Sequence, residues 1–216
     1  MTSPSTADLR VVHVLRVRGF VDTPLVAEVA GMSVDEATSV LTALEAAGHA
    51  RHREGRMSGW MLTSDGRAHG EVLLAEELAG LGCRAEVEGA YSRFLEGNQG
   101  FLGLCTDWQL RPDTGDPSGE PVMNDHADPA YDEAVIGRLA ETDSAIQPVC
   151  AALAALLERF GGYGERFATA LDRVTGGDLD WFTKPMIESY HTVWFELHEN
   201  LLATLGIQRS KEHASG

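Results

Sequence analysis

Three arginines fall within six residues, Arg51, Arg53 and Arg56, with Glu54 the one acid among them and His49 and His52 close by. A cluster of guanidinium groups neutralises phosphates, whereas a merely solvated charge run mixes its signs. A second group of chemistry-bearing side chains lies near the C-terminus: Tyr190, His191, Trp194 and His198, with Glu188 three residues before His191. On a helix, His191 and His198 share a face with Phe195 between them. That face suits the wall of a small-molecule pocket, and the more ordinary reading is a core, with Ile187, Trp194, Leu201 and Leu205 inside and the histidines as hydrogen-bonded core or interface residues. A Glu-x-x-His pair is also half of a carboxylate-bridged metal bundle, but no second copy is visible, so no metal site is expected. Trp108 and the cluster Asn124-Asp125-His126 are the remaining candidates. The cluster reads as ligand contacts or, with Asp128-Pro129 behind it, as turn and cap chemistry.

Motifs that would make these residues an active site are missing. The sequence holds no nucleophile elbow, phosphate-cradling glycine loop, dinucleotide fingerprint or zinc-protease spacing. A hydrolase or lyase built on Asp125, His126 and His191 would need a mutual geometry that spacing alone does not supply. No catalytic residue and no cofactor is therefore expected, and the protein reads as something other than an enzyme. Cys83, Cys105 and Cys150 are odd in number and lack a CxxC spacing, which argues for buried thiols over a disulfide framework or zinc ribbon.

With 216 residues and 44% hydrophobic content the chain can bury a real core. No apolar run reaches the length of a membrane helix, and MTSPSTADLR lacks the basic and apolar regions of a signal peptide, so a cytoplasmic protein without membrane contact is expected. The formal charge of −16 opposes nucleic-acid binding until it is located: residues 1–70 hold seven Arg and eight Asp or Glu, which leaves −15 for the remainder. A nearly neutral first module can still offer a local basic patch.

The elements that must position the arginines follow from periodicity and caps. Leu9, Val12 and Leu15, with Val11 and Val14 beside them, predict a helix over Asp8 to Phe20 stopped near Gly19. Asp22 or Thr23 caps a short second helix with Pro24 in its first turn, ended by Gly31. Ser33 and Glu36 have capping-box spacing and open a third helix whose core stripe is Val34, Ala37, Val40, Leu41 and Leu44, closed by Gly48. A short helix, a glycine turn and a longer helix form a helix-turn-helix. Ala50 to Arg53, a turn at Glu54-Gly55-Arg56, and Gly59 to Thr63 then read as a basic-tipped β-hairpin, a wing, and Thr63 caps the next helix with Asp65 in its first turn.

Through "LEAAGHARHREGR" into the hairpin and "LTSDGR" out of it, the sequence resembles the MarR-like winged helix-turn-helix regulators over about residues 9 to 70, a third of the chain. The resemblance implies that the third helix enters the major groove, making Ser33, Thr38 and Ser39 base or phosphate contacts. It implies wing contacts for Arg51, Arg53 and Arg56. Against the family pattern, the third helix has no Lys or Arg and carries Asp35 and Glu36 near its start.

Beyond the module the sequence predicts an acidic, all-helical domain. Helices are expected from Gly70, over Val87 to Phe101 with an extension toward Leu110, and over Asp132 to Thr142, Ser144 to Phe160, Tyr163 to Gly176 and Pro185 to Leu205. An exposed loop is expected at 111–122. The fold class is thus mainly α: a winged helix of three helices and a hairpin over 8–75, then a helical domain over 76–216 that dimerises and takes a small-molecule effector at Trp108, His126, Tyr190, His191, Trp194 and His198. The expected function is a homodimeric transcriptional regulator on double-stranded operator DNA. The alternatives are a protein-interaction module whose winged helix never touches DNA, and a small-molecule enzyme using the C-terminal histidines.

Overall fold

A computed structural model describes residues 5–55, 57–113, 115 and 119–208. Among them the chain is mainly helical, with two antiparallel two-stranded sheets. It packs as two compact units that do not follow chain order: the first takes residues up to 88, 155–160 and those from 196 on, and the second takes 89–154 and 161–195. The boundary expected at 75/76 is drawn in sequence order, whereas the first unit draws on both ends of the chain.

In the first unit, α1 (Ala7–Arg18), α2 (Thr23–Ala30) and α3 (Val34–Ala46) are followed by the hairpin β1 (Ala50–Arg53) and β2 (Gly59–Leu62) and by α4 (Ser64–Leu81). Their limits are set locally. Asp22 accepts from the Leu25 amide at the start of α2, and Ser33 and Glu36 close a reciprocal capping box on α3. Gly31 ends α2 in the left-handed region, at φ 62°, where a side chain is disfavoured. Val11, Val12, Leu15, Val26, Leu41, Leu44 and Trp60 form one buried cluster that joins all three helices to the hairpin.

The exit from the hairpin is fixed by Thr63. Its hydroxyl donates to the Gly48 carbonyl at 2.7 Å and accepts from the Gly66 amide at 3.0 Å, so one side chain caps α4 and ties it to the end of α3. Residues 196–205 belong to this unit and are joined to it by ion pairs, Arg16 with Glu199 and Arg18 with Glu196, each at 3.1 Å. The buried Arg159 reaches Glu77 at 2.8 Å and also bonds Asn200 and Thr204.

The second unit contains most of α5 (Arg84–Gln109), a ribbon of β3 (Leu110–Arg111) and β4 (Val122–Met123), α6 (Pro129–Leu156) up to residue 154, α7 (Tyr163–Thr175), α8 (Asp180–Thr183) and the start of α9 (Tyr190–Leu205). Three expectations are corrected here. The two helices expected over 132–142 and 144–160 are one helix, α6, followed by a 3-10 turn at Glu158–Phe160. Asp143, at the expected break, is instead held inside: it accepts from Gln147 and from the Tyr190 hydroxyl. The last helix starts at Tyr190 and not at Pro185, because Met186 adopts φ 68° and Ser189 caps the helix by accepting from the Thr192 amide. The ribbon brackets the loop expected at 111–122 in a domain where no strand was expected, and with two residues per strand it is too short to show an alternating pattern.

The three cysteines are free and buried. Burial pushes the Cys105 and Cys150 thiols up to about 12. No helix among the described residues is long and apolar enough to cross a membrane.

Candidate functional site

The hairpin sorts its side chains by strand alternation. Ala50 and His52 pair with Leu62 and Trp60, and the His52 ring packs on the Trp60 indole with centroids 4.6 Å apart. Arg51 and Arg53 turn to the opposite face, where both are exposed and neither side chain has an ion pair among the described residues. Arg56 lies outside the described residues.

The other arginines of the first three helices are committed internally. Arg10 donates from Nη1 to the Ala30 carbonyl at 2.8 Å and the Gly31 carbonyl at 3.2 Å, which satisfies the open end of α2, while Arg16 and Arg18 hold Glu199 and Glu196. The free positive charge of the module is therefore concentrated on the hairpin face and on the exposed Arg67 of α4.

On α3 the expected hydroxyls are exposed, but two already have partners. Ser33 Oγ donates to Glu36 Oε2 at 2.8 Å and accepts from the Glu36 amide at 3.2 Å. Thr38 Oγ1 donates back to the Val34 carbonyl at 2.7 Å, and Ser39 is exposed without such a bond. Two acids of this helix are hydrogen-bonded to backbone amides. Glu36 accepts from the Ser33 amide and hydroxyl, which holds its carboxyl below the usual range, and Glu45 accepts from the His52 amide at 3.1 Å. Three apolar side chains of α2 and α3 are also exposed: Leu25, Val29 and Val34, at 38%, 45% and 50%.

The six residues expected to bind a small molecule separate into different environments. Tyr190 and Trp194 are buried in an aromatic stack with Phe94, Phe101 and Phe167, where Trp194 lies 4.3 Å from Phe101 and Tyr190 lies 4.8 Å from Phe167. The Trp194 indole donates to Asn98 at 2.9 Å and the Tyr190 hydroxyl donates to Asp143 at 3.2 Å. Burial and the Asp143 carboxylate push the Tyr190 phenol up. These are core contacts, with the buried polar tips satisfied.

His191 is half-buried, and burial holds its imidazole below its usual value. His198 is buried in the first unit, seven residues along the same helix, and Phe195 between them is 47% exposed. Glu188 precedes α9 and forms an ion pair with Arg166 at 2.7 Å, so the Glu-x-x-His pair does not lie on one helix as expected. Among the described residues no group of three or more His, Cys, Asp or Glu side chains is gathered as a metal site.

Trp108 and His126 do come together. The rings lie 4.5 Å apart, and the other neighbour of Trp108 is Phe182 at 4.4 Å. His126 stands on a backbone at φ 57°, and its Nδ1 is 3.0 Å from the buried carboxylate of Asp132. Asn124, also buried, donates to the Trp108 carbonyl and to Asp132 Oδ1. Asp132 was not among the expected site residues, because at the start of a predicted helix an aspartate reads as a favourable first-turn charge. Asp125 is exposed, and the Ala127 amide and Arg111 keep its carboxyl below the usual range.

One cavity of about 10 Å³ opens in the first unit, lined by Leu9, Val12, Leu62 and Leu74 with His13, Arg16 and Arg67 among the polar residues. It has room for about one water, far below the roughly 300 Å³ at which drug-sized pockets begin. No protein family, curated protein or solved structure matches the chain.

Proposed function

We propose that the chain is a DNA-binding transcriptional regulator whose α1–α4 module, with its β1/β2 hairpin, works as a winged helix-turn-helix. The observation that carries this reading is the hairpin face: Arg51 and Arg53 are exposed and unpaired among the described residues, while Arg10, Arg16 and Arg18 are committed elsewhere. A two-stranded ribbon of this size with guanidinium groups on one side fits against a phosphate backbone or minor groove. Contact by α3 is then secondary. Its exposed Ser39 offers a hydroxyl, while Asp35 and Glu36 at its start add negative charge that disfavours a closer approach to phosphate. A palindromic operator read by two copies completes the proposal.

The test is binding of the purified protein to fragments of its own upstream region at two salt concentrations, with Arg51→Ala, Arg53→Ala and Arg56→Ala combined as the control. Salt-sensitive binding that the triple variant loses supports the regulator. A second reading, a protein-interaction module, draws on the exposed Leu25, Val29 and Val34 of α2 and the acidic α3. It gains if the triple variant changes no nucleic-acid binding while Val29→Lys and Val34→Lys abolish capture of a protein partner.

A further inference from the structure

We infer that His126 is a nucleophilic imidazole that accepts acyl groups from activated esters, a chemistry independent of DNA binding. The inference starts from hydrogen-bond counting. The Asn124 side-chain oxygen accepts from the His126 amide at 3.2 Å, which fixes the orientation of the Asn124 amide group. Its two N–H bonds are then used on the Trp108 carbonyl at 3.2 Å and Asp132 Oδ1 at 2.9 Å. Although Asn124 Nδ2 also lies 3.2 Å from His126 Nδ1, no hydrogen remains to bridge that gap. His126 Nδ1 must therefore carry the hydrogen that bonds Asp132 Oδ2 at 3.0 Å. In the neutral ring this leaves the lone pair on Nε2, which has no partner among the described residues.

This is the arrangement by which a buried carboxylate fixes the tautomer of an imidazole and stabilises the cation that forms on reaction. The indole of Trp108 supports one ring face, and about a third of the His126 side chain remains open to solvent. Asn124 ties the ribbon to α5 and α6, and His126, at φ 57°, presents its ring between the Trp108 indole and the Asp132 carboxylate.

In the reaction Nε2 attacks the ester carbonyl carbon and the C–O bond to the leaving phenolate breaks, giving an acyl-imidazolium whose Nδ1–H stays on Asp132. Water then adds to the acyl carbon, the C–N bond breaks to release the neutral imidazole, and the acid leaves as carboxylate with both water protons passing to solvent. His126 is the catalytic residue and Asp132 a positioning residue.

The experiment uses the full chain with p-nitrophenyl acetate, following phenolate release, and in parallel diethyl pyrocarbonate with mass-spectrometric reading of each histidine. His126→Gln, with its fold checked by circular dichroism, should lower phenolate release by at least about 10-fold. Asp132→Asn should slow acylation of His126 while leaving His49, His52 and His69 at wild-type rates. An unchanged turnover in His126→Gln overturns the inference. So does acylation of His126 as fast or faster in Asp132→Asn, the result expected if Asp132 only anchors and shields the ring.

Discussion

At the scale of single residues, two positions carry constraints that are visible only in three dimensions. A Cβ at Gly66 would fall on the His49 carbonyl carbon and oxygen, which belong to backbone and cannot swing aside. Gly66→Ala should therefore destabilise the protein by about 2–3 kcal/mol, near the upper end for overpacking, and lower the midpoint of thermal unfolding. His13 is the opposite case, a polar group where an apolar one would serve. It is buried in α1, neither ring nitrogen has a partner among the described residues, and burial, then the charges of Arg159 and Arg16, hold its pKa well below the usual value. The folded state keeps His13 neutral while the unfolded chain takes up a proton below about pH 6.5. Stability should thus fall as pH drops through about 6.5, by up to about 1.4 kcal/mol per pH unit from this group, and be fully present above it. Denaturant unfolding at pH 7.5 and 5.5 checks this: in His13→Leu the contribution to the slope disappears, and at pH 7.5 the variant is at least as stable as the wild type. A wild type whose His13-dependent slope has the reverse sign would contradict the assignment.

At the scale of elements, caps were legible and continuity was not. Asp22, the Ser33–Glu36 box and Thr63 were readable because a cap is a bargain among neighbours within three residues, and each is present. Thr63 exceeds the local expectation, since its hydroxyl also holds the Gly48 carbonyl across the hairpin. Thr63→Ala should cost more than Ser33→Ala, toward about 2 kcal/mol against about 1, because it removes the cap and the hairpin tie together; urea denaturation of the two variants orders them. The unbroken α6 was illegible for the complementary reason. Thr142-Asp143-Ser144 reads as a stop and restart, yet Asp143 is stabilised in the interior by Gln147 and by Tyr190, which is 47 residues away in sequence. Long-range partners also made the candidate site only half readable: Trp108 and His126 were expected, and their joint dependence on Asn124 and Asp132 required the ribbon to fold back on α6.

At the scale of the whole molecule, the charge distribution decides what DNA binding by this chain must look like. A net charge of −16 repels a polyanion at long range, so attraction can come only from close contact by the few unpaired arginines. Two effects of salt then oppose each other. Added salt lowers affinity through counterion release, by about 0.9 in the logarithmic slope for each phosphate neutralised, and at the same time screens the acidic remainder over a Debye length of about 10 Å at 0.1 M. The wild type should therefore show a shallower slope at low salt than its phosphate contacts alone would give, steepening once the repulsion is screened. In the double variant Arg51→Ala, Arg53→Ala the high-salt slope should fall by about 1.8, because both guanidinium groups lie on one hairpin face and reach the backbone together. Fluorescence anisotropy of a labelled duplex across a salt series reads both features. A double variant that loses affinity with an unchanged slope would mean that the arginines shape the hairpin without touching phosphate, and would move the contact to α3.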